Sequence, residues 1–454
     1  MNRKTATSAL VIFFCAIGNL NAWSEHSIFM HSALSGMKEI AGAAPVAAET
    51  LDSFLAKESK GLAQLLSEEE SWARANIEGY PARPDDLAFD RSTETNLRKR
   101  FLYALRVNPE AKMAMALQLM PGQDPAGRTF LTPRDVSVYK NPIWLAKIRF
   151  AQIRPGERVA PLEILSTAAD EPDLGLDIGL FEDSGTEWGS KMGFGKIPFG
   201  NANLEYSSQA PFHMTFYHEA GIVYMLAGFL KHTYPEVRVR QFYALSRYAF
   251  RTGHPYWGYR FMGMGLHYVT DLTQPYHARV LPGIGVLRML WINLMDIAGR
   301  HQPKLDAIQL VSNRHSAIEN FYQVILHRDS VAHDMNHPYW KATVDESKDL
   351  SYGKFGRKYL KDVVTQESES RADALDSKLT DLIPSNLVSD PSVEFAVANA
   401  GKDLTKVMEK EKPGSVDQLS LVLADFAASF GSHSRNFIRA VLALEDAYAS
   451  SNAK

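Results

Sequence analysis

Apolar residues three and four positions apart recur along most of the chain, a pattern that predicts a succession of amphipathic helices. In residues 27–37, Ile28, Phe29, Ala33, Leu34 and Met37 fall mostly on one helical face. Further helices are expected at 51–72 and 95–120. Between Pro121 and Pro161 the pattern is broken by Pro and Gly; loops are expected there, with a short regular piece around 144–153. The glycine-rich stretch at 182–203 reads as a surface loop or as a flap carrying Phe194 and Phe199. Helical signals then crowd together at 215–232, 236–252 and 256–271, punctuated by Pro235 and Pro255. They continue at 286–298, 305–326, 355–379, 392–409 and 416–449. Strand-like alternation is scarce and no internal repeat is present, so the expected fold class is mainly α.

Residues 1–22 depart from this pattern. Arg3 and Lys4 precede an apolar run from Ala9 to Ile17, and small or polar residues lead to Asn21 and Ala22, the layout of a secretory signal peptide. The expected location is therefore secreted or periplasmic, with cleavage before Trp23. Cys15, the single cysteine, would leave with that segment. The mature chain would then hold no disulfide, and any metal site would draw on His, Asp, Glu or the chain terminus. Over 454 residues, 45% hydrophobic and 22% charged positions describe a globular chain rather than a disordered one. The formal charge of −3 becomes about −5 once Arg3 and Lys4 are lost, and no run of basic residues stands out, which weighs against a nucleic-acid partner.

The candidate chemistry lies in HYVTDLTQPYH, residues 267–277. His267 and Asp271 are four apart in a predicted helix, so they project from one face and can grip one cation. Alone the pair is a chance-level pattern. It is followed by His277, beyond a break at Thr273-Gln274-Pro275 that turns the chain back. A second four-residue pair, His315 and Glu319, sits on the next amphipathic helix. Upstream, the acidic run with Asp170 and Asp173 and the His213 of Ala-Pro-Phe-His add oxygen and nitrogen donors. Imidazole and carboxylate without thiolate suit a catalytic rather than a closed structural zinc site.

With these residues in view, 244–278 (ALSRYAFRTGHPYWGYRFMGMGLHYVTDLTQPYHA) resembles the central helix pair of bacterial zinc-dependent phospholipases C of the alpha-toxin type. HSAIENF at 315–321, WSEHSIFMHSALSGM at 23–37 and STAAD at 166–170 resemble other motifs of that family, in the same order. APFHM at 210–214 is equally similar to single-strand-specific fungal nucleases, which share the metal scaffold. The resemblance implies a helical zinc hydrolase domain over 23–454, with insertions at about 40–160, 178–208, 279–312 and 330–390. It implies three zinc ions. Trp23, through its free amine and carbonyl, would hold one with His26 and Asp271; Asp170, His213, His267 and the shared Asp271 would hold the second; His277, His315 and Glu319 would hold the third. Asp173 competes with Asp170, His31 with His26, and His218 with His213. In the implied reaction Asp170 takes the proton of the attacking water or orients that water.

The substrate implied is a phospholipid of the phosphatidylcholine kind, split to diacylglycerol and a phosphorylated headgroup at a membrane surface. A zinc nuclease or nucleotide phosphatase, or a non-catalytic membrane-binding protein on the same scaffold, are the alternatives. The apolar insertion at 280–300, with Leu281, Ile284, Val286, Leu287, Met289, Leu290, Trp291 and Leu294, is expected to enter a lipid interface or to cap the core. His327, His333 and His337 form a further patch, expected to be a solvated loop or a metal site. Oligomeric state is not encoded in any of these patterns.

Overall fold

A computed structural model describes residues 25–448; the expected signal segment and Trp23 lie outside the described residues. The chain is mainly helical. Its longer helices are α1 (His26–Ser35), α2 (Leu51–Asn76), α3 (Leu97–Leu105), α4 (Pro161–Ala169), α5 (Gly221–Leu226), α6 (Pro235–Arg251) and α7 (Pro255–Asp271). After these come α8 (Val286–Ile297), α9 (Gln302–Ala332), α10 (Pro338–Val344), α11 (Ala372–Leu382), α12 (Leu404–Glu411) and α13 (Ser415–Leu442). Proline opens α4, α6, α7 and α10, where its missing N–H removes no helical hydrogen bond.

α7 is the central element. Apart from Pro255 and Tyr259 all of its residues are buried, as expected for a helix that is apolar on nearly every side. It packs against α4, α6 and α13, while α1 lies against α4, α10 and α13. The α4–α7 crossing is a close one. A Cβ on Gly263 would stand 2.6 Å from the Ala168 Cβ and 2.7 Å from the Leu165 carbonyl oxygen, so the backbones meet where only glycine fits. On α13 the buried Arg435 donates from Nε and Nη2 to Asp349, each at 2.8 Å, and from Nη1 to the Thr343 carbonyl at 2.8 Å, fastening α13 to α10.

Among the described residues five short strands complete the frame: β1 (Val46–Ala47), β2 (Ala116–Leu119), β3 (Phe130–Leu131), β4 (Arg149–Gln152) and β5 (Arg158–Val159). β1 pairs antiparallel with β5, and β4 lies between β2 and β3, with Leu117 opposite Ala151 and Phe130 opposite the same residue. Gln118 of β2 donates its backbone N–H to Thr167 Oγ1 at 2.9 Å, docking this small sheet on α4. Leu51, Phe54, Phe101 and Leu117 share one core with the α7 residues, so the stretch 40–160 is built into the body of the fold.

Several expected elements differ. The helix expected over 95–120 ends at Leu105 because Arg106 turns left-handed, at φ +54°, and its buried guanidinium donates to the carbonyls of Pro81 and Met192. Asn108 before Pro109 then disfavours helix, and the expected tail of that helix is strand β2. The stretch 215–232 shrinks to α5 and one further turn, at Gly228–Lys231. The expected helix at 355–379 is a wide turn, Leu360–Thr365, running into Gln366–Ser370, then a break at Arg371 before α11. Within 392–409 the helix proper is α12. α4 and the strands had no counterpart in the expected element list beyond the short regular piece at 144–153.

Candidate metal centre

Each donor is placed by a local device. His26 opens α1 directly after Glu25, which turns the chain at φ +69°. His267 and Asp271 fill the last turns of α7. Gln274 then accepts from the Tyr276 N–H through its own Oε1 at 3.0 Å, and Pro275 starts a single turn that brings His277 back toward the end of α7. His213 closes the turn Ala210–His213, Asp173 lies in the tight turn Pro172–Leu174 just after α4, and His315 and Glu319 sit one turn apart in α9.

Among the described residues three groups have candidate donor atoms within 4.8 Å of one another: His26, His267 and Asp271; Asp173, His213 and His267; and His277, His315 and Glu319. All are buried. Asp271 divides its two oxygens. Oδ1 is 3.1 Å from His26 Nε2, while Oδ2 is 2.8 Å from His213 Nδ1 and 3.3 Å from His267 Nε2. His267 Nε2 also faces His213 Nδ1 at 3.1 Å and the Asp173 carboxylate at 3.8 Å. In the last group His315 Nε2 lies 2.7 Å from Glu319 Oε1, and the His277 ring stands edge-on to His315 with centroids 5.0 Å apart.

Two histidines are pinned in one tautomer. His267 Nδ1 meets the Ala169 carbonyl at 2.7 Å and His277 Nδ1 meets the His213 carbonyl at 2.7 Å. A carbonyl only accepts, so both Nδ1 atoms carry a hydrogen and Nε2 is the one nitrogen each ring can offer a cation. His267 therefore has one donor nitrogen to offer, although it belongs to two of the three groups. Two cations can be served together when Asp271 gives Oδ1 to one, beside His26, and Oδ2 to the other, beside His213, His267 and Asp173.

The electrostatics fit a cation. Among the described residues the ion-pair partners of Asp271 are three histidines and no Lys or Arg. Against burial, which acts the other way, the charge of His267 and the hydrogen bonds of His213, His26 and His267 hold its carboxyl well below the usual range. His213 is pushed up to about 10: burial lowers it, but Asp177 and Asp271 outweigh that from its two sides. Burial takes His277 down to about 4 and His315 well below its ordinary value, leaving both neutral, the form that binds metal.

The expected carboxylate at the second ion was Asp170. The structure groups Asp173 with His213 and His267 instead, because α4 ends at Ala169 and the following tight turn carries Asp173 inward. Asp170 stands behind His26, its Oδ1 3.7 Å from His26 Nδ1, and accepts from Gln118 Nε2 at 2.6 Å. Burial, and then the charge of Asp173, push it up to about 7. His31 lies outside all three groups, near Glu163. His218 is bound elsewhere, to the Lys361 carbonyl and Thr365. His327, His333 and His337 enter no such group among the described residues.

Sequence reasoning missed Asp177, fully buried behind His213 with Oδ2 3.4 Å from Nε2. Arg238 and Tyr268 hold Asp177 in place at 2.6 Å each. The spacing 170, 173, 177 was the available signal. It also missed a cleft of about 680 Å³ beside Glu25 and Glu319, lined farther out by Trp144, Lys147, His327, Arg328 and Lys402. These basic residues come from distant stretches, so no cluster showed in the linear order. No family model, curated protein or solved structure matches the chain.

Proposed function

We propose that the chain is a zinc-dependent phosphodiester hydrolase of the phospholipase C kind, acting on a phospholipid. The observation that carries this reading is the gathering of His26, Asp173, His213, His267, Asp271, His277, His315 and Glu319 into three buried groups, two of which share His267, with the Nδ1 atoms of His267 and His277 held by backbone carbonyls. Zinc bound there would neutralise the phosphodiester anion and lower the pKa of water to near neutrality. The set contains no thiolate and mixes imidazole with carboxylate, the chemistry of catalytic zinc.

The remaining roles fall to the chain itself. Asp170, held near 7 by burial and Asp173, is able to take a proton near neutral pH and pass it on. Gln118 fixes its orientation by donating to Oδ2. Asp177 orients His213, and the Ala169 and His213 carbonyls orient His267 and His277, so the donors keep their positions through turnover. Lys147 and Arg328 line the cleft beyond Glu319 and would attract the anionic substrate.

The same cleft favours a second reading, a zinc nuclease or nucleotide phosphatase. Trp144 lines it as an aromatic residue, and Lys147, Arg328 and Lys402 suit further phosphates. Zinc-loaded protein assayed on a short-chain phosphatidylcholine and on single-stranded DNA separates the two. Release of phosphocholine is the expected result; nucleotide release alone would replace the lipid reading with the second. Turnover of neither substrate by protein with full metal content would leave a non-catalytic scaffold.

A further inference from the structure

α8 is a helix whose outer as well as inner face is apolar. Its inward residues Met289 and Ile292 are buried, against Val280 and Val223. Its outward stripe is made of Leu287 at 83% exposure, Trp291 at 40%, Leu294 at 62% and Ile297 at 68%, and Met225 of the adjoining α5 adds 74%. Large side chains gathered this way on one surface mark a contact face, whereas scattered exposed ones carry no such meaning. Twelve residues are too few to span a bilayer, and no described helix is long and apolar enough to do so.

Two further observations say what covers the stripe. The first is charge: Asp296 is the single carboxylate in residues 284–300, and it is taken by His301 Nδ1 at 2.6 Å and Lys304 Nζ at 2.9 Å. Arg288, stacked 4.2 Å from the Trp291 ring, and Arg300 are exposed beside the stripe, so the face is apolar with a cationic margin. The second is position. The apolar hollow under α8 and a second hollow lined by His213, His277 and His315 share Val280 as a common wall. The inner face of α8 thus borders the hollow next to the candidate metal donors, and the stripe is the outer face of that same helix.

We propose that the α8–α5 face is the surface by which the protein docks on anionic phospholipid, with Leu287, Leu294 and Ile297 entering the acyl boundary, Trp291 at the headgroup level, and Arg288 and Arg300 meeting the lipid phosphates. This rests on the phospholipid reading above and names the side of the molecule that faces the membrane.

The test is co-sedimentation of zinc-loaded protein with vesicles of phosphatidylcholine and phosphatidylglycerol. The wild type is compared with the triple variant Leu287→Glu, Leu294→Glu, Ile297→Glu and with Leu287→Glu alone, at the most exposed of the three positions. Partitioning is expected to fall about 10-fold or more in the triple variant and less in the single one, with circular dichroism and zinc content unchanged. Undiminished vesicle binding by the triple variant overturns the proposal. So does a wild type that ignores vesicles but dimerises in light scattering and becomes monomeric on substitution, which would make the cover a second copy. Vesicle binding that is lost on substitution in a protein hydrolysing no short-chain phospholipid upholds the surface while removing the enzymatic reading.

Discussion

His213 sits between two carboxylates, Asp177 on its Nε2 side at 3.4 Å and Asp271 on its Nδ1 side at 2.8 Å. Asp177 can only orient the ring, since His213 lies between it and the other donors. Asp177→Asn is therefore expected to weaken metal binding about 10- to 100-fold in chelator competition, without removing a ligand. Unchanged affinity would reduce Asp177 to a structural partner of Arg238. Because His213 is pushed up to about 10, it is protonated at pH 7 and must give up that proton to a cation. The sign follows: metal uptake releases protons, and apparent affinity climbs as pH rises from 6 to 9, by up to about tenfold per pH unit for each proton released. Calorimetry in buffers of different ionisation enthalpy reads the proton count, and a value of zero at pH 7 would contradict the arrangement. The pairs His267–Asp271 and His315–Glu319 showed in the spacing, though each gained weight only from the other donors around it. The choice between Asp170 and Asp173 was not, because it depends on where α4 stops.

At the scale of elements, the α4–α7 crossing decides whether the centre forms. Ala169 at the end of α4 supplies the carbonyl that pins His267, and Gly263 permits the approach. Gly263→Ala puts a methyl against the Leu165 carbonyl and the Ala168 side chain, neither of which can swing away. It is expected to lose about 1–3 kcal/mol of stability, read as a lower Tm, and to weaken metal binding together with it. An unaltered Tm would mean that the helices separate freely. The helices α1, α2, α6, α7, α9 and α13 were legible because apolar residues recur three and four apart along each. The stretch after Leu105 was not: its helical pattern was overruled by the distant carbonyls that capture the Arg106 guanidinium.

Across the whole molecule, the donors run from His26 to Glu319 and belong to α1, the turn after α4, the His213 turn, α7, the His277 turn and α9. A cation shared by such distant stretches cross-links the fold, and it has little to bind once the chain unfolds. Ligand linkage gives about 2.7 kcal/mol per site at a hundredfold excess over Kd. Removing metal with a strong chelator should thus lower Tm by several degrees, and restoring zinc should raise it again in scanning calorimetry. A Tm indifferent to both would argue against buried metal. The cleft beside Glu25 and Glu319 belongs to this scale too, since its basic residues Lys147, Arg328 and Lys402 meet only in the folded chain.

By itself the sequence determined the mainly helical class and the donor pairs that share one helix, because a spacing of four residues sets two side chains on one face through backbone geometry alone. It also marked the turn at Pro275 that returns His277 to the centre. Tertiary structure decided the rest: that Asp173 joins His213 and His267, that Asp177 backs His213, that Asp271 divides its oxygens between two groups, and that the outer stripe of α8 stays uncovered. The physical reason is that these features depend on distances between elements, which come from packing and chain termination and leave no period in the sequence.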